Sequence, residues 1–199
     1  MSKDVIYTTV NEHEWWHEFK QGDVNAYRQL YEKFAPQLYN YGTKFTKDIT
    51  IVEDAIQDLF YTLWTSRERI SQPPSVRNYL FKSLRTGIYK KLNKSNLFVN
   101  EEDASDFHFE LAIDETLAQR EHLLQIKKQV EQALSSLTSR QREIIYYRFY
   151  QNLGFDEIAD IMNMQVRATY KLTARALETL RSVIPAGNLF SLFLLFKVL

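Results

Sequence analysis

Apolar residues recur along this chain at the spacing of a single helix face, i, i+3, i+4, i+7. Trp15, Trp16 and Phe19 end a short amphipathic segment that Lys20-Gln21-Gly22 closes. Asp23 suits an N-cap, because its carboxylate can accept the first free N–H groups of a helix. Ala26, Tyr27, Leu30, Tyr31 and Phe34 then keep the helical period as core residues until Pro36 interrupts it. Leu38, Tyr41 and Phe45 carry the period on beyond an expected kink. Thr50-Ile51-Val52-Glu53 has the form of a capping box. It opens a helix whose inner stripe is Val52, Ala55, Ile56, Leu59, Phe60, Leu63 and Trp64. The other face, Asp54, Gln57, Asp58 and Tyr61, is acidic and polar, with no lysine or arginine to pair it. Ser71–Ser75 holds Pro73 and Pro74 and reads as a stiff loop, with Ser75 placed to cap a helix from Val76 to about Lys94.

The strongest pattern lies in Leu137–Arg181. Thr138 and Gln141 form a capping box ahead of a supporting helix that carries Ile144, Ile145, Arg148 and Phe149. Phe155, Ile158, Ala159 and Met162 make one short stripe, and Asp156 and Glu157 in the first turn complement the helix dipole. Asn163-Met164-Gln165 breaks the period, and asparagine tolerates the left-handed conformation a tight turn needs. A second helix restarts at Val166. Its inner stripe is Val166, Thr169, Leu172/Thr173, Ala176 and Leu180; its outer stripe is Arg167, Tyr170, Lys171, Ala174, Arg175 and Glu178. Two short helices, a tight turn and a basic outer face describe a helix-turn-helix, a geometry that places its second helix in a major groove. An ordinary helical hairpin with a solvated basic face has the same pattern.

Charge sharpens this picture. The 199 residues carry 25 basic and 25 acidic side chains, so affinity for nucleic acid must come from segregation of charge rather than from its sum. Between Ser75 and Leu97 there is no acid, while Arg77, Lys82, Arg85, Lys90, Lys91 and Lys94 interleave with Tyr79, Phe81 and Tyr89. Cations among rings suit backbone phosphates and stacking on unpaired bases, although some of these rings must also be core. Residues 100–121 reverse the sign: Glu101, Glu102, Asp103, Asp106, Glu110, Asp114, Glu115 and Glu121 accompany only Arg120. With no apolar period until about Leu117, this stretch reads as a linker ahead of a helix near Leu117–Leu134. Few glycines (5) and prolines (4) and no cysteine point to long helices, a reducing cytoplasm, and neither disulfides nor thiolate metal sites. The pair His13 and His17 has helical spacing but no accompanying metal signature, and no cofactor or catalytic constellation is expected.

The order of acidic-faced helix, stiff loop, basic aromatic helix, acidic linker and helix-turn-helix resembles the sigma-70 family of RNA polymerase factors. The likeness is to the extracytoplasmic-function (ECF) type, especially those common in Bacteroidetes, and covers about residues 16–183. It implies an all-α fold of two helical domains. A sigma-2-like bundle is expected over residues 10–97, an acidic linker over 98–116, a sigma-4-like helix-turn-helix domain over 117–184 and an apolar tail over 185–199. Val52–Trp64 resembles the family's core-binding helix, which implies that Asp54, Gln57, Asp58, Phe60, Tyr61 and Trp64 meet the largest-subunit clamp of core RNA polymerase. Asn78–Arg85 resembles the helix that captures and helps melt the −10 element, implying DNA contacts from Arg77, Asn78, Tyr79, Lys82, Arg85 and Lys90. Leu137–Arg181 resembles the domain that reads the −35 element and sits near the polymerase flap region. Arg167, Thr169, Tyr170, Lys171 and Arg175 are then its DNA-binding residues. The resemblance also allows for a membrane-bound anti-sigma factor as partner, and implies a cytoplasmic protein without small-molecule substrate. Three stretches depart from the family's habit: Thr86 stands in place of a common Asn, Ala168-Thr169-Tyr170 in place of Thr-Val-Lys/Arg, and Asn163 in place of Gly.

Two other readings compete. A free-standing regulator of the LuxR kind explains residues 137–181 but neither the acidic helix nor the basic one. A helical adaptor whose basic faces are merely solvated explains the amphipathicity alone. The tail Leu189–Leu199, nine apolar residues in eleven, is too short to span a membrane, which takes about 20. It suits either a packed terminal helix or an exposed patch for an anti-sigma partner, a protease or a membrane surface.

Overall fold

A computed structural model describes residues 3–95, 107–109, 128 and 130–183, and among them every regular element is helical. The chain divides into two compact units, Met1–Ser105 and Asp106–Leu199. The apolar tail and most of the acidic stretch lie outside the described residues.

The first unit packs four helices: α1 (Lys3–Lys20), α2 (Val24–Gly42), α3 (Ile49–Thr65) and α4 (Val76–Ser95). Between α1 and α2 the chain reverses at Gly22, whose φ of +95° is open to glycine but strained for other residues. Asp23 then caps α2, its carboxylate accepting from the N–H groups of Asn25 and Ala26. Helix α2 runs through Pro36 without ending there. The cap of α3 is not the expected Thr50 box. Asp48, two residues earlier, accepts from the Thr50 N–H at 3.0 Å, and the helix begins at Ile49. The core is the expected stripe, with Trp16, Phe19, Leu30, Phe34, Leu38, Tyr41, Leu80, Leu84 and Ile88 all buried. Tyr31 departs from expectation, being 46 % exposed beside Phe60 rather than core. At Gly42, α2 meets α3 so closely that a Cβ would stand 2.5 Å from Cγ1 of Val52. The phenol of Tyr27 donates to the carbonyl oxygen of Phe60 at 3.1 Å. Burial, with a smaller contribution from Tyr31, lifts its pKa above the ordinary tyrosine value.

The second unit has a helical stretch at residues 130–135, then α5 (Ser139–Ile145), a π-helical turn (Tyr146–Tyr150), α6 (Phe155–Ile161) and α7 (Val166–Val183). The expected capping box forms at Thr138 and Gln141. Two asparagines, Asn152 and Asn163, take left-handed φ values of 52° and 50° at the ends of their turns. Only the second was legible in advance. Phe107 and Phe109, which acidic surroundings assign to the linker, are core residues of this unit. Arg142 explains why they stay: its buried guanidinium donates to the carbonyl oxygens of Phe107 (2.6 Å) and Leu137 (2.7 Å). The Phe107 N–H in turn donates to the Ser139 hydroxyl, and the two rings pack on Tyr146.

Candidate functional site

Three surfaces carry the residues of interest, two on the first unit and one on the second. On α3, Asp54, Gln57 and Asp58 are exposed and Tyr61 is 71 % exposed. Phe60 points the other way. It is buried, edge-on to Tyr27 and Tyr31, and so supports the strip from beneath instead of lining it. Trp64 is half-buried against Tyr27, with the Arg67 guanidinium 4.6 Å from its ring centre. The strip is not without a basic partner, as its own helix suggests. Lys91 reaches across from α4 and sets its Nζ 2.7 Å from Oδ2 of Asp58. Tyr31, read from its period as core, is exposed and packs edge-on with Phe60.

Helix α4 and its loop form the second surface. Ser75 caps the helix through its hydroxyl, which accepts from the Asn78 N–H at 3.2 Å. Gln72 in the loop is held to α1, its amide lying 3.0 Å from His13 Nδ1 and donating to the His13 carbonyl oxygen. Tyr79 is half-buried and packs edge-on to Trp16 at 5.2 Å. Arg77, Lys82 and Arg85 are partly exposed and Lys90 is exposed. Asn78 is 6 % exposed, so its side chain is withdrawn from the set of contacts proposed for DNA. Phe81 and Tyr89 are also buried, beneath the guanidinium groups of Arg77 (4.9 Å) and Arg85 (4.6 Å). Their rings hold the arginines in place rather than stack on bases. Between α3 and α4 lies a groove of about 440 Å³ lined by Asp58, Tyr79, Ser83, Thr86, Lys90 and Lys91. It brings one residue of the acidic strip, Asp58, beside two cations of the basic helix, Lys90 and Lys91.

The third surface is the outer face of α7. Arg167, Tyr170, Lys171, Ala174, Arg175 and Glu178 are exposed there, while Thr173, Ala176 and Leu180 are buried; Val166, assigned by its period to the inner stripe, is exposed at the start of the helix. Thr169 is fully buried and its hydroxyl donates to the Val166 carbonyl oxygen at 2.6 Å. It anchors the helix inward and cannot reach a groove. The turn ahead of α7 closes through the Met164 N–H, which donates to the Ala159 carbonyl oxygen at 2.8 Å. Helix α6 starts at Gly154, whose N–H donates to Glu157 Oε2 at 2.8 Å. Between Val166 and Arg181 the net charge is +3, enough to position phosphates but small for a lone DNA binder. Among the described residues no group of His, Cys, Asp or Glu could hold a metal ion, and no helix is long and apolar enough to cross a membrane.

The surfaces fall on regions with known counterparts. Residues 30–97 match the model of sigma-70 region 2, and residues 127–180 match that of sigma-70, region 4. No curated relative matches the chain. Among solved structures, the fold is similar to CnrH in its complex with the cytosolic domain of CnrY. That match has a TM-score of 0.56 and 17 % identity, covering 86 % of this chain and 96 % of that one. It is also similar to the sigma factor RpoE in complex with the anti-sigma factor NepR from Bartonella quintana. There the TM-score is 0.55 and the identity 22 %, over 80 % of this chain and 97 % of that one. At such identities the structural likeness speaks for the fold. The two region models, matched in order and together spanning more than half the chain, speak for descent: the chain belongs to the sigma-70 family.

Proposed function

We propose that this protein binds core RNA polymerase and directs it to specific promoters as a two-region sigma factor of the ECF type. The observation that carries this reading is the pairing of region 2 and region 4 matches with three exposed surfaces of suitable chemistry. In this reading the strip Asp54, Gln57, Asp58 and Tyr61, rimmed by Trp64, docks on the clamp of the largest polymerase subunit. The loop at residues 72–75 and the cations Arg77, Lys82, Arg85 and Lys90, with Tyr79, take hold of the −10 element as it melts. A flipped base costs a few kcal/mol of stacking, which cationic and aromatic contacts must restore. Arg167, Lys171 and Arg175 seat α7 in the major groove at −35, and Tyr170 lies among them. The protein performs no chemistry of its own and acts in the cytoplasm, where its polymerase is.

Both similar structures were solved with a bound partner, and one partner is named an anti-sigma factor. An anti-sigma factor is accordingly a partner class for this chain, and one that covered the α3 strip would keep polymerase away. A free-standing regulator would have no use for that strip. The weak charge of α7 gives the test. Because polymerase holds both units on one DNA and supplies effective concentration, promoter binding should need it. Fluorescence anisotropy with labelled promoter DNA should show specific binding by the mixture with core polymerase and little by the protein alone. Tight sequence-specific binding by the isolated protein at physiological salt would overturn the reading.

A further inference from the structure

The face of α7 contains one residue whose side chain is exposed and yet held. The Tyr170 ring stacks on Phe155 of α6 with centroids 3.9 Å apart and planes inclined by 30°. On the same Phe155 ring sits Arg148, its guanidinium carbon 4.9 Å from the centroid. Arg148 is itself fixed, donating from Nη1 to the Leu153 carbonyl oxygen at 2.9 Å. The result is a cation–ring–ring pile that joins the π-helical turn, the first helix of the helix-turn-helix and the second. Tyr170 nevertheless remains 54 % exposed.

We infer that Tyr170 is a specificity-determining residue that reads a base edge of the −35 element through its hydroxyl, and that Phe155 and Arg148 are positioning residues for it. This rests on the sigma-factor reading and deepens it. Three points carry the assignment. Phe155 covers one face of the phenol, so the ring is not free to insert between bases and offers its edge and its hydroxyl. Tyr170 is the fifth residue of α7, in the N-terminal part of a recognition helix, which is the part that meets base edges. Arg167, Lys171 and Arg175 flank it on the same face and supply the charge that seats the helix on phosphates, alongside any guanine edge they read. A hydroxyl both donates and accepts, and one held at a fixed point discriminates between edges better than one that swings.

The test uses reconstituted holoenzyme, core polymerase plus the full chain, on a promoter library randomised across the −35 element, with transcripts sequenced. Tyr170→Phe keeps the stack and removes only the hydroxyl. It should flatten the preference at one base position about 3- to 10-fold, the size of one hydrogen bond, and leave other positions unchanged. Phe155→Leu should flatten the same position, and Phe155→Trp, which can still stack, should restore it. An equal loss of output across all −35 sequences on Tyr170→Phe would mean a phosphate contact and overturn the inference. An unchanged preference profile would mean a purely structural stack and overturn it too. If Phe155→Leu fails to fold, as a melting curve would reveal, the Tyr170→Phe result decides alone. Wild-type holoenzyme silent on every library member would sink the sigma-factor reading itself, whereas −35-dependent transcripts indifferent to Tyr170→Phe sink only this inference.

Discussion

Lys91 Nζ on α4 lies 2.7 Å from Asp58 Oδ2 on α3, and this contact joins the surface proposed for polymerase to the helix proposed for DNA. Asp58 is 70 % exposed, so solvent screens the pair and its contribution to folding should stay below about 1 kcal/mol. A double-mutant cycle with Asp58→Asn and Lys91→Met, read by urea denaturation, should give a coupling of that size that fades in high salt. The larger effect belongs to binding. Asp58→Lys should weaken capture of core polymerase at least tenfold in a pull-down titration while leaving the melting temperature nearly unchanged.

Gly42 predicts a stability effect with no functional ambiguity. A Cβ there would stand 2.5 Å from Cγ1 of Val52, and Val52 is itself fully buried. Gly42→Ala should therefore cost about 1–3 kcal/mol through overpacking. Pairing it with Val52→Ala, which clears the space, should return part of that loss. Thermal melts of the single and double variants check it, and additive losses would mean that the two helices do not meet as closely as described.

Arg142 predicts how the second unit depends on Phe107. Arg142→Met leaves two backbone carbonyl oxygens without the guanidinium donor that reaches each within 2.7 Å. The expected loss is about 1–3 kcal/mol per buried acceptor left unsatisfied. Hydrogen exchange should show lower protection at the Phe107 amide, which is bonded to Ser139, as well as through α5. A loss confined to α5 would mean that residues 107–109 are held by their rings alone.

Tyr27 predicts the alkaline limit of the first unit. Its folded-state pKa is raised by burial and by Tyr31, so the fold favours the neutral phenol. That contribution is fully present below the unfolded value, about 10, and is lost as pH rises through the raised folded value. The stability advantage of the wild type over Tyr27→Phe, measured by urea denaturation, should be steady below pH ~9 and shrink over the range from pH ~10 upward. A gap that is constant over this range would contradict the assignment.

The helices and their inner stripes could be read from the sequence because each is amphipathic at helical period and most ends carry a local signal, Asp23, Ser75 and Thr138 among them. What could not be read depended on a second element. Asp58 looked unpaired because its partner sits on α4, 33 residues on. Phe107 and Phe109 were hidden by acidic neighbours, and only the packing of Tyr146 and the reach of Arg142 reveal them as core. Asn78, Thr169 and Phe60 lay within matching motifs, but a motif fixes position along the chain and not the direction of a side chain. In the α7 face the outer stripe was legible in full, whereas the stack of Tyr170 on Phe155 needed the turn geometry that Asn163 sets.

The most direct test of the central claim is core-dependent transcription. Purified core RNA polymerase from the same source, sheared genomic DNA and this protein would be incubated together, and transcript starts mapped with and without it. The structure predicts new starts that share a −35 and −10 pair and disappear when Arg167, Lys171 and Arg175 are changed together to glutamate. Native core that binds the protein yet yields no new starts, or starts indifferent to that triple change, would contradict it.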